Sequence, residues 1–111
     1  MFYLLDDNKI YKAELIKEHK MLKIKTDWLD IYKSISHIKE QSENVFELIK
    51  AGDLISFKYD EDSVIVGQVT DVIVSNSKVE IFIKNHKINT KDIYCIFKPD
   101  EDGNYIKTWE V

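Results

Sequence analysis

The sequence predicts a single domain, residues 1–111, with an α+β fold that is mainly β. Three observations point to this class. The length suits one hydrophobic core, because single cores typically span roughly 50–200 residues. Short apolar runs rich in β-branched and aromatic residues recur along the chain, separated by clusters of Asp, Asn, Ser and Lys. With one proline and three glycines, no stretch has the composition of an interdomain linker.

The first forty residues are predicted to form a small β-meander. The apolar run Phe2–Leu5 is followed by Asp6-Asp7-Asn8, whose short polar side chains favour a turn. A second apolar run then extends over Ile10–Ile16, so the two runs are expected to pair as a hairpin.

The next segment continues the meander and then becomes ambiguous. The charged residues Lys17–Lys20 predict a second turn, and Met21–Lys25 alternates apolar and charged residues like a half-buried strand. In residues 27–41 the spacing of the apolar side chains fits a helical turn and an irregular strand equally well. Both interpretations stay open.

A helix of about two turns is predicted after residue 42. Asn44 is a candidate N-cap, and Glu47 follows three residues later, as in a capping box. Val45–Ile49 supplies the apolar residues of the helix. Gly52 stands where a helix C-terminus often has a left-handed residue.

The second half of the chain is predicted to contain five short strands. The longest run contains Gly67 and is too long for a flat strand in so small a sheet, so a bend or bulge at this glycine would let the sheet curl. A polar turn at 88–92 precedes the fourth strand. Five bent strands with this late turn describe an SH3-like barrel, which together with the helix covers residues 42–111. The predicted strands are Leu54–Tyr59, Val64–Val74, Val79–Ile83, Ile93–Phe97 and Tyr105–Trp109. The predicted turns between them are at 60–63, 75–77, 85–87 and 100–104.

The segment from Ser42 to Ile55 reads S-E-N-V-F-E-L-I-K-A-G-D-L-I. It resembles an S-x-N-ϕ-x-x-L-I-x-x-G-D-ϕ-ϕ pattern of small proteins encoded by phages and prophages of Gram-positive bacteria. The likeness extends from about Ser42 to the end of the chain and includes Asn104–Glu110. It implies a short helix leading into a small β-barrel, in a bacterial host. It implies no functional residue.

Composition limits the functions that the chain can have. The 20 acidic residues outnumber 16 basic ones, for a formal net charge of −4 and a pI near 5.3, which disfavours nucleic-acid binding. All 16 basic residues are lysine, so the guanidinium fork that reads guanine edges is absent. One cysteine, Cys95, permits no internal disulfide. Because no signal-peptide or membrane-span pattern is found, we expect a cytoplasmic protein that does not bind membranes.

The spacing of reactive residues predicts no enzyme activity, no cofactor and no metal site. His19, His37 and His86 lack the spacing of metal ligands, so we expect surface or packing roles for them. Cys95 lies in a β-like run with no adjacent base, where a small buried hydrophobe is the expected role. Nucleophile elbows, phosphate-binding glycine loops and dinucleotide fingerprints are missing from the sequence.

One acidic run invites a calcium-binding interpretation. Asp100, Asp102 and Asn104 are spaced like the first ligands of an EF-hand loop, but Gly103 stands fourth, whereas that loop requires glycine at the sixth position. We therefore predict a hairpin turn in which Asp102 and Gly103 supply the positive-φ residues.

The favoured hypothesis is a non-catalytic, phage- or prophage-encoded binding module that acts through a protein partner. Small barrels commonly recognise peptides or single strands through aromatic side chains. Phe57 and Phe97 are expected inside the barrel, whereas Tyr59 and Trp109 are expected to be partly exposed near strand ends; the alternative that all are packed stays open. The candidate binding residues are Tyr59, Asp60, Glu61, Asp62, Tyr105 and Trp109.

Three further hypotheses concern the partner. The acidic turns at 60–62 and 100–102 could face a basic protein and imitate nucleic-acid phosphates, as an inhibitor of a host defence protein would. Alternatively, Lys84, Lys87 and Lys91 form a local basic strip of a barrel that binds single-stranded nucleic acid. A third alternative is a small phage structural or assembly protein that forms a homodimer through an edge strand of the N-terminal meander.

Overall fold

A computed structural model describes residues 1–76 and 78–111. Strands dominate this part of the chain, together with four short 3-10 helices, and it contains no α-helix. The mainly β class is therefore confirmed. The chain divides into two compact units, Met1–Leu48 and Ile49–Val111, which are described separately below. The single-domain organisation stays a prediction.

The first unit contains six strands in two antiparallel sheets of three. The strands are β1 (Phe2–Leu5), β2 (Ile10–Lys12), β3 (Glu14–Ile16), β4 (Met21–Lys25), β5 (Asp30–Ser34) and β6 (Ile38–Ser42). β1 lies between β2 and β6 in one sheet, and β4 lies between β3 and β5 in the other. Because β6 returns to pair with β1, the unit is more than the simple meander predicted from the sequence.

The predicted turn at Asp6–Asn8 joins β1 to β2, and Asn8 adopts a left-handed φ of 64° there. The predicted strand Ile10–Ile16 is wrong in one respect, because it breaks at Ala13 into β2 and β3. These two strands pair in different sheets, and the Ala13 N–H donates to the Met1 carbonyl. A single apolar run therefore serves two sheets.

The segment that the sequence left ambiguous forms β5, a 3-10 helix at Ile35–His37 and β6. β5 pairs with β4 as a hairpin, and the predicted turn before β4 contains a 3-10 helix at Lys17–His19. Alternation along β4 is confirmed, since Leu22 and Ile24 are buried. Leu22 joins Tyr3 and Leu5 in the core of this unit.

The predicted helix of about two turns is wrong in length and type. Only Val45–Leu48 is helical, as a single 3-10 segment. Asn44 caps it as predicted, since its side-chain oxygen accepts from the Phe46 N–H at 3.0 Å. The capping box is altered, however, because Glu47 accepts from the Ser42 hydroxyl rather than from the Asn44 backbone, whose N–H donates to Ser42 Oγ. These hydrogen bonds satisfy backbone N–H groups at the start of the 3-10 segment, which ends at Leu48.

The described residues of the second unit form seven strands in two antiparallel sheets. They are β7 (Leu54–Asp60), β8 (Ser63–Gln68), β9 (Asp71–Ser75), β10 (Lys78–Ile83), β11 (His86–Ile88), β12 (Ile93–Pro99) and β13 (Tyr105–Glu110). One sheet has the order β13-β12-β7-β8, and the other has the order β11-β10-β9. All five predicted strand regions contain strands, although one of them divides in two. β11 is an additional strand, so the turn predicted at 85–87 is wrong for its last two residues. A 3-10 helix at Thr90–Asp92 lies in the predicted polar turn. Of the predicted turn at 75–77, Ser77 lies outside the described residues.

The predicted long strand Val64–Val74 divides into β8 and β9 at Val69–Thr70. Val69 still pairs on the β7 side, where its N–H donates to the Asp53 carbonyl at 2.8 Å, whereas the Thr70 N–H donates to the Phe82 carbonyl of β10 at 2.9 Å. The chain thus leaves one sheet and enters the other at this point.

The role predicted for Gly67 is wrong. Its pairing with Ile55 is in register, and the irregularity of this strand pair lies instead between Lys58 and Asp60. A Cβ at Gly67 would stand 2.6 Å from the Ile83 Cδ1 atom, so the glycine permits close packing rather than a bulge. Gly52 has a positive φ of 99°, as a left-handed residue at a helix end would. It lies instead in a turn, in which the Asp53 N–H donates to the Lys50 carbonyl.

Candidate functional site

The predicted site residues around Tyr59 form an ordered acidic turn between β7 and β8. Tyr59 is 69% exposed, and the three carboxylates that follow it are also exposed. The Asp60 carboxylate accepts from the Asp62 N–H at 2.9 Å. This hydrogen bond, aided by the Ser63 hydroxyl, lowers the pKa of Asp60. The same hydrogen bond fixes the turn that presents Glu61 and Asp62.

The other predicted site residues lie elsewhere. Tyr105 pairs with Pro99 at the opposite end of the same sheet, and its hydroxyl donates to the Gly52 carbonyl at 2.7 Å. Trp109 pairs with Ile96 near the middle of the sheet and is half-buried, in agreement with the partial exposure predicted. The six predicted residues therefore do not form one surface.

The second acidic turn, at 100–102, also lies at the end of the sheet opposite the first. The Asp100 carboxylate accepts from the backbone N–H groups of Asp102 and Asn104, both at 2.9 Å, so it closes the hairpin between β12 and β13. Gly103 has the predicted positive φ, at 83°, but Asp102 does not. Within residues 1–76 and 78–111, no group of three or more His, Cys, Asp or Glu side chains is placed to hold a metal ion.

The predicted basic strip is partly neutralised. Lys84 forms part of the turn between β10 and β11, Lys87 lies on β11, and Lys91 lies in the following 3-10 helix; all three are exposed. The Lys87 ammonium pairs with the Glu80 carboxylate at 3.1 Å. One of the three lysines is therefore already engaged with a carboxylate.

The reactive side chains occupy ordinary structural positions. Cys95 is half-buried rather than buried, and its Sγ lies 3.9 Å from Glu110 Oε2. The Lys107 ammonium donates to the same carboxylate and lowers the pKa of Glu110. This carboxylate is therefore a weak base toward the Cys95 thiol. The His37 ring pairs with Asp6 at 2.7 Å on the surface. Phe57 is buried as predicted, whereas Phe97 is only half-buried.

A buried ion pair that the sequence analysis missed anchors the four-stranded sheet. The Lys98 ammonium lies 2.5 Å from Asp53 Oδ2, and the two side chains are only 7% and 6% exposed. The same Asp53 oxygen accepts from the Lys50 N–H at 2.8 Å. The pair joins the start of β7 to the end of β12, and because its residues are 45 positions apart, no local pattern could have revealed it.

An exposed aromatic tip in the first unit was also missed. Trp28 is 85% exposed in the turn between β4 and β5. Thr26 closes this turn, because its N–H and hydroxyl donate to the Leu29 carbonyl at 2.9 and 2.6 Å. Leu29, Ile31 and Tyr32, which follow Trp28 closely, are exposed as well. This segment is the part of residues 27–41 whose structure the sequence left undecided.

The edge strand β8 of the second unit is also an exposed apolar surface. β8 pairs only with β7 among the described strands, and its Val64 and Val66 are 59% and 60% exposed. Ile65, between them, points to the other face of the strand and is exposed too. Exposed apolar side chains therefore lie on both faces of this edge strand.

No protein-family model matches the sequence, and no curated protein or solved structure compared with the chain is similar to it. In the part of the chain that the structure describes, no helix is both long and apolar enough to cross a membrane.

Proposed function

We propose that the chain is a non-catalytic binding module that acts through a protein partner, and that the Trp28 tip is its main contact. The observation that carries this proposal is the 85% exposure of a tryptophan on an ordered hairpin turn. Tryptophan is among the residues most enriched in binding hot spots. Leu29, Ile31 and Tyr32 near it are exposed as well, and groups of exposed apolar side chains mark interaction sites.

The hairpin holds the tip in place before any partner binds. Thr26 bridges the turn through three hydrogen bonds with Leu29, and the Lys23 ammonium lies 3.7 Å from the Asp30 carboxylate across the two strands. An ordered tip loses little conformational entropy on binding. A buried tryptophan removes roughly 150–250 Å² of surface from water, which makes it a sufficient anchor for a small interface.

An SH3-like barrel in the second unit forms part of the same proposal. Three features support it: β9 to β11 form a second sheet, the 3-10 helix precedes β12, and the chain passes from one sheet to the other at Val69–Thr70. Folds of this kind host many binding functions. The resemblance of Ser42–Ile55 to phage and prophage proteins suggests a bacterial partner.

The acidic turns bear on how such a module would act. The two turns lie at opposite ends of one sheet, so they do not form a continuous acidic strip within this unit. A partner that needs such a strip is therefore disfavoured. Inhibition of a host defence protein could use contact with one of the two turns alone. Nucleic-acid binding is not favoured, since Lys87 is paired with Glu80.

The test is affinity capture from a nuclease-treated Gram-positive lysate, followed by calorimetry with the purified captured protein. Trp28→Ala should weaken its binding by about thirtyfold or more, which corresponds to the 2 kcal/mol of a hot spot. Tyr94→Ala, which removes a less exposed aromatic of the second unit, is the matched control and should bind like the wild type. Unchanged binding of Trp28→Ala would contradict the assignment of the tip, and a capture that depends on nucleic acid would contradict the protein-partner proposal.

A further inference from the structure

We propose that the free edge of β8 binds an extended, apolar protein segment as an added strand, and that this segment carries basic residues beside the 60–62 acidic turn. This surface lies in the second unit and shares no residue with the Trp28 tip. The inference therefore goes beyond the proposed function and can fail or hold independently of it.

The edge of β8 is unusually open. Its residues Val64–Gln68 pair in continuous register with β7 on one side, and no other described strand pairs with it. Edge strands of natural proteins are usually protected by charges, prolines or bulges. Within Val64–Gln68, β8 has none of these, and residues 63–70 include no charged side chain.

The side chains of β8 suit a strand partner. Val64 and Val66 are exposed on one face of the strand, and Ile65 is exposed on the other. An added strand would lie beside β8 in the sheet. Because its side chains alternate between the two faces, they would contact the exposed side chains of β8 on each face. Main-chain hydrogen bonds would supply affinity, and the β-branched side chains would supply cross-strand contacts.

Charge determines which occupant fits. Asp60, Glu61 and Asp62 stand immediately before β8, so a segment lying along this strand ends beside three carboxylates. All three carboxylates are ionised at neutral pH, and the hydrogen bond that Asp60 accepts from the Asp62 N–H lowers the pKa of Asp60 below its usual range. A lysine or arginine at that end of the segment would gain complementary contacts and faster association.

A second copy of the chain fits this edge less well. If β8 paired antiparallel with β8 of another copy, with Ser63 opposite Gln68, each acidic turn would lie beside residues 69–71 of the other copy. That stretch brings Asp71 and no lysine. Like charges placed opposite each other destabilise strand pairs, so charge favours a basic segment of another protein.

The direct test is fluorescence anisotropy with the intact chain and a labelled peptide of alternating Thr and Val that ends in two lysines. Antiparallel addition brings the C-terminal end of the peptide to Ser63, so a second peptide with the lysines at its N-terminus reports parallel addition. One of the two should bind at least about tenfold more tightly than a peptide with glutamates in place of the lysines. Equal affinity for basic and acidic peptides, or no binding at about 1 mM, would overturn the proposal.

Matched variants distinguish binding at the β8 edge from general attraction of a basic peptide to acidic side chains. Glu61→Gln with Asp62→Asn should weaken the preferred peptide by about tenfold, whereas Glu101→Gln with Asp102→Asn, in the other acidic turn, should leave it unchanged. Equal losses in both variants would show unspecific attraction and overturn the site.

Hydrogen exchange tests the binding mode. Amides of β8 should become slower to exchange in the peptide complex, while those of β13 at the other edge of the same sheet should not. Protection that is absent from β8, or a chain that sediments as a dimer and loses this dimer on Val64→Lys with Val66→Lys, would overturn the proposal in favour of electrostatic attachment or a second copy.

Discussion

In the first unit the most exposed aromatic residue, Trp28, stands at the tip of a hairpin, whereas in the second unit the exposed valines lie along the edge of a sheet. A tip offers one large side chain to a pocket. An edge offers backbone groups to an extended strand and adds smaller side chains. Under the two proposals these surfaces would therefore suit different partners, although both expose apolar residues.

The units also differ in what stabilises them. The first has a small apolar core around Tyr3, Leu5 and Leu22. The second buries several isoleucines and, in addition, the Asp53–Lys98 ion pair. A buried pair tolerates loss of one partner poorly, because the remaining charge cannot be solvated. The predictions below use this difference, beginning with the largest expected effect.

Lys98→Met should destabilise the second unit by about 3–5 kcal/mol, since it leaves the Asp53 carboxylate buried without its partner. Urea unfolding followed through the half-buried Trp109 measures this loss, with Trp28→Phe introduced to remove the other tryptophan. The double variant Asp53→Leu with Lys98→Met should recover much of the loss. A single variant within about 1 kcal/mol of the wild type would show that the pair is not a structural anchor.

Leu22→Ala should destabilise the first unit by about 2–5 kcal/mol, the usual range for a leucine truncated in a core. Hydrogen exchange at the amides of β1 and β4 measures the effect in this unit. Leu29→Ala, at an exposed position in the turn between β4 and β5, is the control and should change exchange little. Similar exchange in both variants would contradict the assignment of the core.

Asn44→Ala should cost about 1 kcal/mol, because the Phe46 N–H loses the side-chain oxygen that caps the 3-10 segment. Thermal unfolding compared with the exposed Gln41→Ala gives the difference. If Asn44→Ala and Gln41→Ala were equally stable, the cap would contribute nothing.

The smallest expected effect concerns pH. Burial, together with the hydrogen bond to Asp7, raises the pKa of Tyr11 to about 12, from 10.0 for a free tyrosine. Because the fold favours the neutral phenol, this contribution is complete below pH 10 and is lost as the pH rises toward 12. The difference in phenolate absorbance between wild type and Tyr11→Phe should titrate near pH 12, and Asp7→Asn should lower that midpoint. A midpoint at pH 10 in the wild type would contradict the environment described.

The sequence predicts those parts of the fold that local chemistry determines. The turn at Asp6–Asn8, the Asn44 cap and the hairpin closed by Gly103 follow from side chains that bond to nearby backbone or from positive φ. Strand runs in the second unit follow from β-branched composition. The Tyr59 turn is exposed as predicted, because its charged side chains must remain in water.

What the sequence does not predict depends on distant partners. The break at Ala13 follows from which sheet each half of the run joins, and the 3-10 form of Val45–Leu48 is not encoded by the cap that begins it. Gly67 serves packing against Ile83, sixteen residues away in the chain. The separation of Tyr105 from Tyr59 likewise follows from the sheet order, which places them at opposite ends.

The central claim is that the tip and the edge are separate binding surfaces. The most direct test measures two ligands against two variants: the captured protein and the preferred basic peptide, each with Trp28→Ala and with Glu61→Gln plus Asp62→Asn. We expect Trp28→Ala to lose only the captured protein and the acidic-turn variant to lose only the peptide. If either variant lost both ligands while remaining folded, the two surfaces would not act independently and the account would be wrong.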